Sequence, residues 1–326
     1  MERDIRIDMV ESAEERYDAA LDEALDAARG SYILFMEQDD WLAPGSLEAV
    51  SHEVRAHDLE LAVLSLSMDT PSPRDGVHSH VMHLEPRHTE ERDEFRDLVP
   101  GMLESGIMGS VRGKVFSADR IAELGLRFTL AQEETIFLIR YIEDVQRAGA
   151  VPAALYHAAV RLANAVPGSL DAYMLCEREY AAYCELAQKW SREHDEHFMR
   201  AIHTRHLHRL IACIKDAYGI AGLSGIERNE RVRDILEAPS TRDTVDALGK
   251  KGLRRASRLW VHVCPYRAEE RSGLLSRHVP RFVRQAPKAA VYASRLTRRA
   301  VSAPLRTPPA PLLDTTGARA PYHISE

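Results

Sequence analysis

Residues 31–47 read Ser31-Tyr-Ile-Leu-Phe-Met-Glu-Gln-Asp-Asp-Trp-Leu-Ala-Pro-Gly-Ser-Leu47. The apolar run directly after Ser31 is short and continuous, which predicts a strand covered on both faces. Glu37, Asp39 and Asp40 come next, and the Pro-Gly-Ser that follows indicates the start of a helix. Carboxylates massed at the end of a buried strand repel one another, and a divalent cation with oxygen ligands, Mg²⁺ or Mn²⁺, removes that cost. A solvated acidic turn in front of a helix is the alternative interpretation.

The segment before this stretch predicts another strand and a helix. Ile5, Ile7 and Met9 alternate with charged residues, as in a short strand. Alanine and leucine residues at helical spacing then continue up to Gly30, a residue type that commonly ends helices. A strand, a helix and a second strand in this order form a βαβ unit, whose strands are parallel. We therefore expect an α/β fold with a mostly parallel sheet flanked by helices.

The stretch from Gly30 to Leu47 resembles the segment around the Asp-x-Asp motif of family 2 (GT-A type) glycosyltransferases, which usually reads G-x-Y-[IV]-x-F-[LM]-D-x-D-D-W-x-x-P-x-x-[IL]. The resemblance implies that Glu37 and Asp39 hold a Mg²⁺ or Mn²⁺ ion. Together with Asp40 they would bind the diphosphate of a nucleotide-sugar donor, and the next residue, Trp41, would lie on the acceptor side. Glu37 departs from the usual Asp and carries one more methylene, so Asp39 is the expected direct ligand.

Two further segments resemble signatures of the same family, in the same order. Residues 113–128 resemble the K-[LV]-[FY]-[RS]-x-x-x-[IL] run that leads into a G-[IL]-x-F turn, which puts Lys114 near the acceptor. Residues 132–137 resemble x-E-D-x-x-F. That match puts Glu134 at the position of the general base of an inverting transferase, and Glu133 beside it on the acceptor side. From the residues alone, a surface lysine and acids that complement a helix dipole remain the alternatives.

The resemblance is weaker in the segments that would bind the rest of the donor. Residues 149–161 loosely resemble the closing strand of the family, where His157 and Arg161 would face the pyrophosphate. The usual V-S-[VI]-I-x-P-x-[YF]-N strand and V-D-D-G-S turn have no counterpart here, and residues 20–22 read Ala-Leu-Asp where relatives often read A-R-N. We therefore expect a GT-A-like (Rossmann-like) fold that is truncated at the N-terminus, or one that has lost ordinary donor binding.

The chain divides into three predicted parts. Residues 1–165 are the expected GT-A-like glycosyltransferase domain. Residues 166–300 are expected to form a helical extension with a basic C-terminal part, and the Pro-rich residues 301–326 to form a disordered tail.

Two groups of histidines lie outside the family signatures. Four of them fall between residues 78 and 88, in a loop-rich region where solvated side chains are favoured over a metal site. His203 and His206 are three residues apart and so share a helix face. We interpret this pair as ordinary surface histidines.

Charge is unevenly distributed along the 326 residues. The net charge is −7, but residues 250–306 carry 15 Lys or Arg against two acidic residues, which leaves −20 on the remainder. This segment predicts peripheral contact with an anionic membrane, or packing on the acidic body. Nucleic acid is not an expected partner, because the segment lacks a pattern of interleaved aromatic residues for base stacking. The sequence has no long apolar run, no secretion signal and no CxxC pair, so a cytoplasmic protein is expected.

Together with the resemblance, these features predict a metal-dependent glycosyltransferase. It would move a sugar from a UDP- or GDP-sugar donor to a hydroxyl group of a glycan, lipid or cell-envelope polymer, with inversion at the anomeric carbon. The alternative is a non-catalytic GT-A-like scaffold or partner subunit, or a fragment of a longer transferase. The depleted nucleotide side and the two Asp-to-Glu departures, at Glu37 and Glu134, favour that alternative.

Overall fold

The computed structural model of the chain describes residues 9–10, 12, 16–72, 76–82, 84–159, 172–219 and 224–249. The strand predicted over residues 1–10 lies almost wholly outside them, and so do the basic segment 250–306 and the tail 301–326. Peripheral membrane contact and cytoplasmic location therefore stay predictions. None of the helices described is both long and apolar enough to cross a bilayer.

A mixed sheet forms the centre of the α/β part. Its described strands are β1 (Tyr32–Leu34), β2 (Trp41–Leu42), β3 (Leu61–Ser72), β4 (Gly76–Met82), β5 (Arg87–His88), β6 (Lys114–Ser117) and β7 (Ala148–Ala159). Their order is β1-β6-β3-β7-β2, with β4 added on β3 and β5 added on β7. The two long strands, β3 and β7, thus lie side by side. Each of the other described strands pairs with one of them, except β1, which pairs with β6.

The α/β class with flanking helices is confirmed, but the expectation of a mostly parallel sheet is wrong. Among the strand pairs that the structure describes, only β3 and β7 are parallel, and the other pairs are antiparallel. Parallel neighbours need a long crossover, as between β3 and β7, whereas β3 and β4 are joined by residues 73–75 alone. The prediction rested on a βαβ unit whose first strand lies outside the described residues.

Helices surround the sheet and continue beyond it. Those described are α1 (Tyr17–Ala27), α2 (Ser46–Ala56), α3 (Arg92–Ser105), α4 (Ala118–Glu123), α5 (Phe128–Ala131), α6 (Glu134–Ile142), α7 (Ala172–Lys189), α8 (Glu196–Gly219) and α9 (Gly225–Glu237), with a 3₁₀ turn at Ile107–Gly109. Residues 239–249 are also helical. The predicted helical extension is confirmed as far as the described residues reach.

Alternate residues of β3 enter two hydrophobic cores on opposite faces of the sheet. Leu61 and Val63 pack in one core with side chains of α3 and α6. Ala62 and Leu64 pack in the other with side chains of α2. This period of two is the pattern of a strand that is covered on both faces.

Helices α7 and α8 share the first of these cores. Tyr183 and Leu186 of α7, and Phe198 and Ile202 of α8, are buried in the same cluster as Phe137 of α6. A separate cluster joins α7, α8 and α9 farther from the sheet. The predicted domain boundary near residue 165 falls outside the described residues and stays a prediction.

His203 and His206 are not surface histidines, contrary to the prediction. They are 8% and 2% exposed, and their Nδ1 atoms lie 3.3 and 2.7 Å from Oγ1 of Thr244. The helical residues 239–249 cover this face of α8. The spacing of residues within α8 cannot show that a later segment of the chain buries these two histidines.

Candidate functional site

Asp40 holds the acidic turn that follows β1. Its buried carboxylate accepts hydrogen bonds from the backbone N–H groups of Ala159 (2.9 Å) and Glu37 (3.3 Å), and from the hydroxyl of Tyr156. The guanidinium of Arg112 lies 3.6 Å away. Burial, and then the hydrogen bond to Asp40, raise the pKa of Tyr156 above its usual range. Asp40 therefore ties the turn to β7.

Glu37 and Asp39 lie on the same turn and are more accessible. Asp39 is exposed, and Glu37 is half-buried. Oε1 of Glu37 accepts a hydrogen bond of 2.6 Å from the hydroxyl of Tyr17, the first residue of α1. Burial, this hydrogen bond and the charge of Glu134 raise the pKa of Tyr17 above its usual range.

Asp22 connects α1 to the first residues of α5. Its Oδ1 accepts from the N–H of Phe128 (2.6 Å), and its Oδ2 accepts from the N–H (3.0 Å) and the hydroxyl (2.6 Å) of Thr129. The position where relatives often carry Asn is thus used here to join α1 to α5.

Glu134 is the first residue of α6. Its Oε2 accepts a hydrogen bond of 3.3 Å from the N–H of Val111. Burial raises the pKa of Glu134, and the charge of Glu37 adds to this, while the Val111 hydrogen bond and the charge of Arg112 oppose it. A carboxylate with a raised pKa accepts a proton more readily near neutral pH.

These acidic groups meet at one cavity, which we call the carboxylate cavity. It has a volume of about 290 Å³ and is lined by Glu37, Asp39, Asp40, Arg112, Glu134 and Ala159. The fold thus brings together the first and the third sequence signature, which are far apart along the chain. Their roles in binding and catalysis stay predictions.

Arg112 is a lining residue that the sequence analysis did not single out. It places one guanidinium among four carboxylates, next to the buried Asp40. The available signal was its position directly before the signature that begins at Gly113. Nothing in the sequence shows that the loop before β6 returns to the end of β1.

Lys114 does not line the carboxylate cavity. Its side chain is fully buried, and its Nζ donates to the carbonyl groups of Ile107 (2.6 Å), Ser110 (2.7 Å) and Arg112 (3.2 Å). These bonds use the three N–H groups of the ammonium. Burial lowers the pKa of Lys114 to about 7, whereas the three carbonyl acceptors favour the charged form. Lys114 is therefore placed to support the loop that carries Arg112.

We expect Lys114→Met to lower the free energy of unfolding by at least about 1–3 kcal/mol, because buried carbonyl groups of the loop lose their donor. Urea denaturation of the two proteins measures this difference. The control is Arg140→Met on the exposed side of α6, for which we expect a change within about 0.5 kcal/mol. Equal stability of Lys114→Met and the unchanged protein would refute the supporting role.

Glu133 belongs to a partly buried group of charges, which we call the ion network: Glu133, Glu179, Arg205 and Arg209. Oε1 of Glu133 accepts from Nη2 of Arg209 (3.1 Å), whose Nε lies 3.0 Å from Oε2 of Glu179. Nε of Arg205 donates to the other oxygen of Glu179. Burial and the charge of Glu179 raise the pKa of Glu133 to about 7, although Arg209 opposes this. Glu133 is thus engaged by α7 and α8, and its acceptor-side role stays a prediction.

Trp41 and His157 pair across β2 and β7 beside the cavity. Their rings stack with centroids 3.5 Å apart, and Nδ1 of His157 lies 2.7 Å from Oδ2 of Asp69. Trp41 remains 49% exposed, so part of its ring surface can meet a ligand. Arg161, which was predicted to face the pyrophosphate with His157, lies outside the described residues.

The donor atoms of the carboxylate cavity fit a hard divalent cation. Glu37 and Asp39 offer carboxylate oxygens, which Mg²⁺ and Mn²⁺ prefer. Mg²⁺ typically takes one or two protein carboxylates and completes its shell with phosphate oxygens and water. In the described part of the chain, the compact clusters of three ligating side chains lie elsewhere. They are Glu53 with His57 and His88, and Cys176 with Glu177 and His206.

Comparison with known proteins gives one family match and several similar structures. Residues 1–117 match the model of the family described as Glycosyl transferase family 2, which confirms the resemblance over these residues. The crystal structure of S. aureus TarS 1–349 in complex with UDP-GlcNAc is 15% identical in sequence, with a TM-score of 0.44. The match covers 86% of this chain and 71% of the TarS chain. The crystal structure of S. aureus TarS is 15% identical, covers 71% of this chain and 37% of its own, and has a TM-score of 0.45. With 15% identity and TM-scores below 0.5, these structures support no statement about a substrate of this protein. No curated protein sequence gives a significant match.

Proposed function

We propose that this protein, whose residues 1–117 match the family described as Glycosyl transferase family 2, moves a sugar from a nucleotide-sugar donor to a hydroxyl group of a glycan, lipid or cell-envelope polymer. The observation that carries the proposal is the carboxylate cavity, where Glu37 and Asp39 share one space with Arg112 and Glu134. Inverting sugar transfer needs a group that binds the leaving diphosphate and a separate base for the acceptor. The cavity offers both.

We assign Glu134 as the general base. Its carboxylate would take the proton of the acceptor hydroxyl as that oxygen attacks the anomeric carbon. The bond from this carbon to the diphosphate breaks on the opposite face, which inverts the anomeric configuration. The hydrogen bond from Val111 engages Oε2, so Oε1 remains for the proton. The raised pKa of Glu134 favours proton uptake at physiological pH.

We assign the binding of the leaving diphosphate to Arg112, Asp39 and Glu37. Arg112 is placed by its neighbour Asp40 and can stabilise the negative charge that develops on the diphosphate. A Mg²⁺ or Mn²⁺ ion held by Asp39 and Glu37 would neutralise further charge there. Arg161 is assigned the same role on the sequence resemblance alone.

Tyr17 and Trp41 are assigned positioning and acceptor roles. The Tyr17 hydroxyl engages Oε1 of Glu37, which leaves Oε2 of this longer side chain for the ion. This contact offers a reason why Glu is suitable where relatives carry Asp. The exposed ring of Trp41 offers a surface for the acceptor at the rim of the cavity.

Calorimetric titration with UDP, then GDP and CDP, with and without Mn²⁺, tests the donor site. We expect Mn²⁺-dependent binding of one of these nucleotides. We expect Asp39→Ala to weaken it at least about tenfold, because the ion loses its main ligand. The control is Asp234→Ala, an exposed acid on α9, which should bind like the unchanged protein.

A protein that is folded by circular dichroism but binds none of these nucleotides would contradict the proposed transferase. That result would favour the non-catalytic scaffold, for which the specific observation is that Glu37 and Glu134 stand where the family usually carries Asp. Binding that is unchanged in Asp39→Ala would instead remove this residue from the donor site.

A further inference from the structure

We propose that Glu53, His57 and His88 form a zinc-binding site on the surface, separate from the carboxylate cavity. Glu53 lies in the last turn of α2, His57 directly follows this helix, and His88 belongs to β5. Oε2 of Glu53 lies 2.8 Å from Nε2 of His88 and 3.7 Å from Nε2 of His57. The ligand atoms of all three residues lie within 4.8 Å of one another.

These separations fit a tetrahedral zinc ion. Zinc lies about 2.0–2.2 Å from imidazole nitrogen and carboxylate oxygen, so neighbouring ligand atoms are about 3.3 Å apart. The two measured distances fall on either side of this value. Two histidines and one glutamate form a known zinc ligand set, with a water in the fourth position. Magnesium does not favour imidazole nitrogen, so the site would discriminate between the two ions.

The local structure holds the ligands in place without an ion. The spacing of four residues puts Glu53 and His57 on the same face at the end of α2, where the N–H of His57 donates to the Glu53 carbonyl (3.2 Å). The rings of His57 and His88 stack with centroids 3.9 Å apart. Zinc would therefore meet three side chains that are already close together, and the two stacked rings would turn so that one nitrogen of each faces the ion.

Gly149 on β7 makes room for the ring of His88. These two residues are paired across β5 and β7. A Cβ atom at position 149 would lie 2.9 Å from Cδ2 of His88 and 2.5 Å from Cδ1 of Leu59. Any larger residue would displace the ring, so the glycine helps to keep His88 beside Glu53.

Charge and accessibility also suit a metal ion. Glu53 supplies a carboxylate group, whose oxygens lie 2.8 Å from Nε2 of His88 and 3.4 Å from Nδ1 of His52. The side chains of Glu53, His57 and His88 are between 28% and 45% exposed, which leaves a path for the ion and its water. His52 lies 3.4 Å from the other Glu53 oxygen, but it is not among the three side chains whose ligand atoms lie within 4.8 Å of one another.

Zinc at this site would join α2 to the edge strand β5. Glu53 and His88 are 35 residues apart in the sequence. A ligand that binds the folded state alone stabilises it in proportion to its occupancy. The site would therefore act on the stability of the sheet edge, whatever the substrate of the carboxylate cavity is.

Zinc titration of the full-length protein without a histidine tag, against a chelating indicator, tests the site. We expect one tightly bound equivalent that a large excess of Mg²⁺ does not displace, together with a rise in the melting temperature. His57→Asn, His88→Asn and Glu53→Gln should each weaken binding at least about tenfold. The matched control is His194→Asn, since His194 is 94% exposed and lies outside the cluster.

Two further variants distinguish this site from its competitors. Cys176→Ser tests the cluster in α7 and α8, and Asp39→Ala tests the carboxylate cavity. Both should retain the tightly bound zinc. Absence of zinc binding, binding that survives the His57 and His88 substitutions, or binding that is lost in Cys176→Ser would each overturn the proposal.

Discussion

Glu134→Gln is expected to lower the rate of sugar transfer by roughly 10²–10⁴-fold and to leave nucleotide binding unchanged. The amide keeps the size of the carboxylate and can still accept from the N–H of Val111, but it cannot take the acceptor proton. The rate is measured as release of the nucleoside diphosphate with the donor identified by calorimetry and an accepting glycan. Binding of the diphosphate by the same variant is measured in parallel.

The control is Glu143→Gln at the other end of α6, where the side chain pairs with Lys189. We expect full transfer activity, because Glu143 is not a lining residue of the carboxylate cavity. Full activity of Glu134→Gln would exclude this residue as the base. A variant that loses both binding and activity would indicate that it has misfolded, which circular dichroism detects.

The raised pKa of Glu134 gives this prediction a dependence on pH. The base must be ionised, so kcat/KM should fall as the pH drops through the pKa of Glu134, which lies above the ordinary value of 4.5. The stability of the folded protein depends on the pH in the opposite direction. The fold favours the protonated form, so the contribution of Glu134 is full below pH 4.5 and is lost as the pH rises through its pKa in the folded protein. Glu134→Gln should therefore be more stable than the unchanged protein at neutral pH.

Arg205→Met is expected to lower the free energy of unfolding by about 3–5 kcal/mol, the largest loss of stability that we predict. Arg205 donates to Glu179, whose side chain is 3% exposed. Removing the guanidinium leaves Glu179 and Glu133 to share Arg209. Burial and the charge of Glu179 already raise the pKa of Glu133 to about 7. Repulsion between the two carboxylates should therefore increase when Arg205 is removed.

Urea denaturation at pH 8 measures this loss of stability, and two further variants serve as comparisons. Arg192→Met removes a more exposed pair with Asp97 and should cost about 0–1 kcal/mol. Adding Glu179→Gln to Arg205→Met should restore part of the stability, because the uncompensated charge is removed. A loss no larger than that of Arg192→Met would show that the ion network contributes little.

Much of the site was predictable because its chemistry lies in short segments. A strand followed by Glu37, Asp39 and Asp40, and a helix that begins at Glu134, are local patterns, and the family resemblance predicted their order. The α/β class followed from the same patterns. Periodicity could not fix the direction of the strands, because direction depends on connections between distant segments.

The remaining features depend on contacts that are distant in sequence. Lys114 was expected at the acceptor, but it is buried because the loop before it folds back over its side chain. Arg112 reaches the carboxylate cavity for the same reason. Glu133 is engaged by Arg209, on a helix whose charges give no local signal of that pairing. Asp40 shows the same limit, since Glu37, Asp39 and Asp40 look alike in the sequence, and nothing in it shows that Asp40 accepts hydrogen bonds from β7.

The core that Tyr183 and Phe198 share with the sheet constrains how this protein can evolve. An α/β domain with an appended helical segment could acquire new binding partners by exchanging that segment through gene recombination. Here such an exchange would separate these aromatic side chains from Phe137, their partner in the same cluster. The incoming helices would need matching surfaces on α3 and α6 from the outset. Divergence is therefore easier on the outward faces of α7 and α8 than by replacement of the helices as a unit.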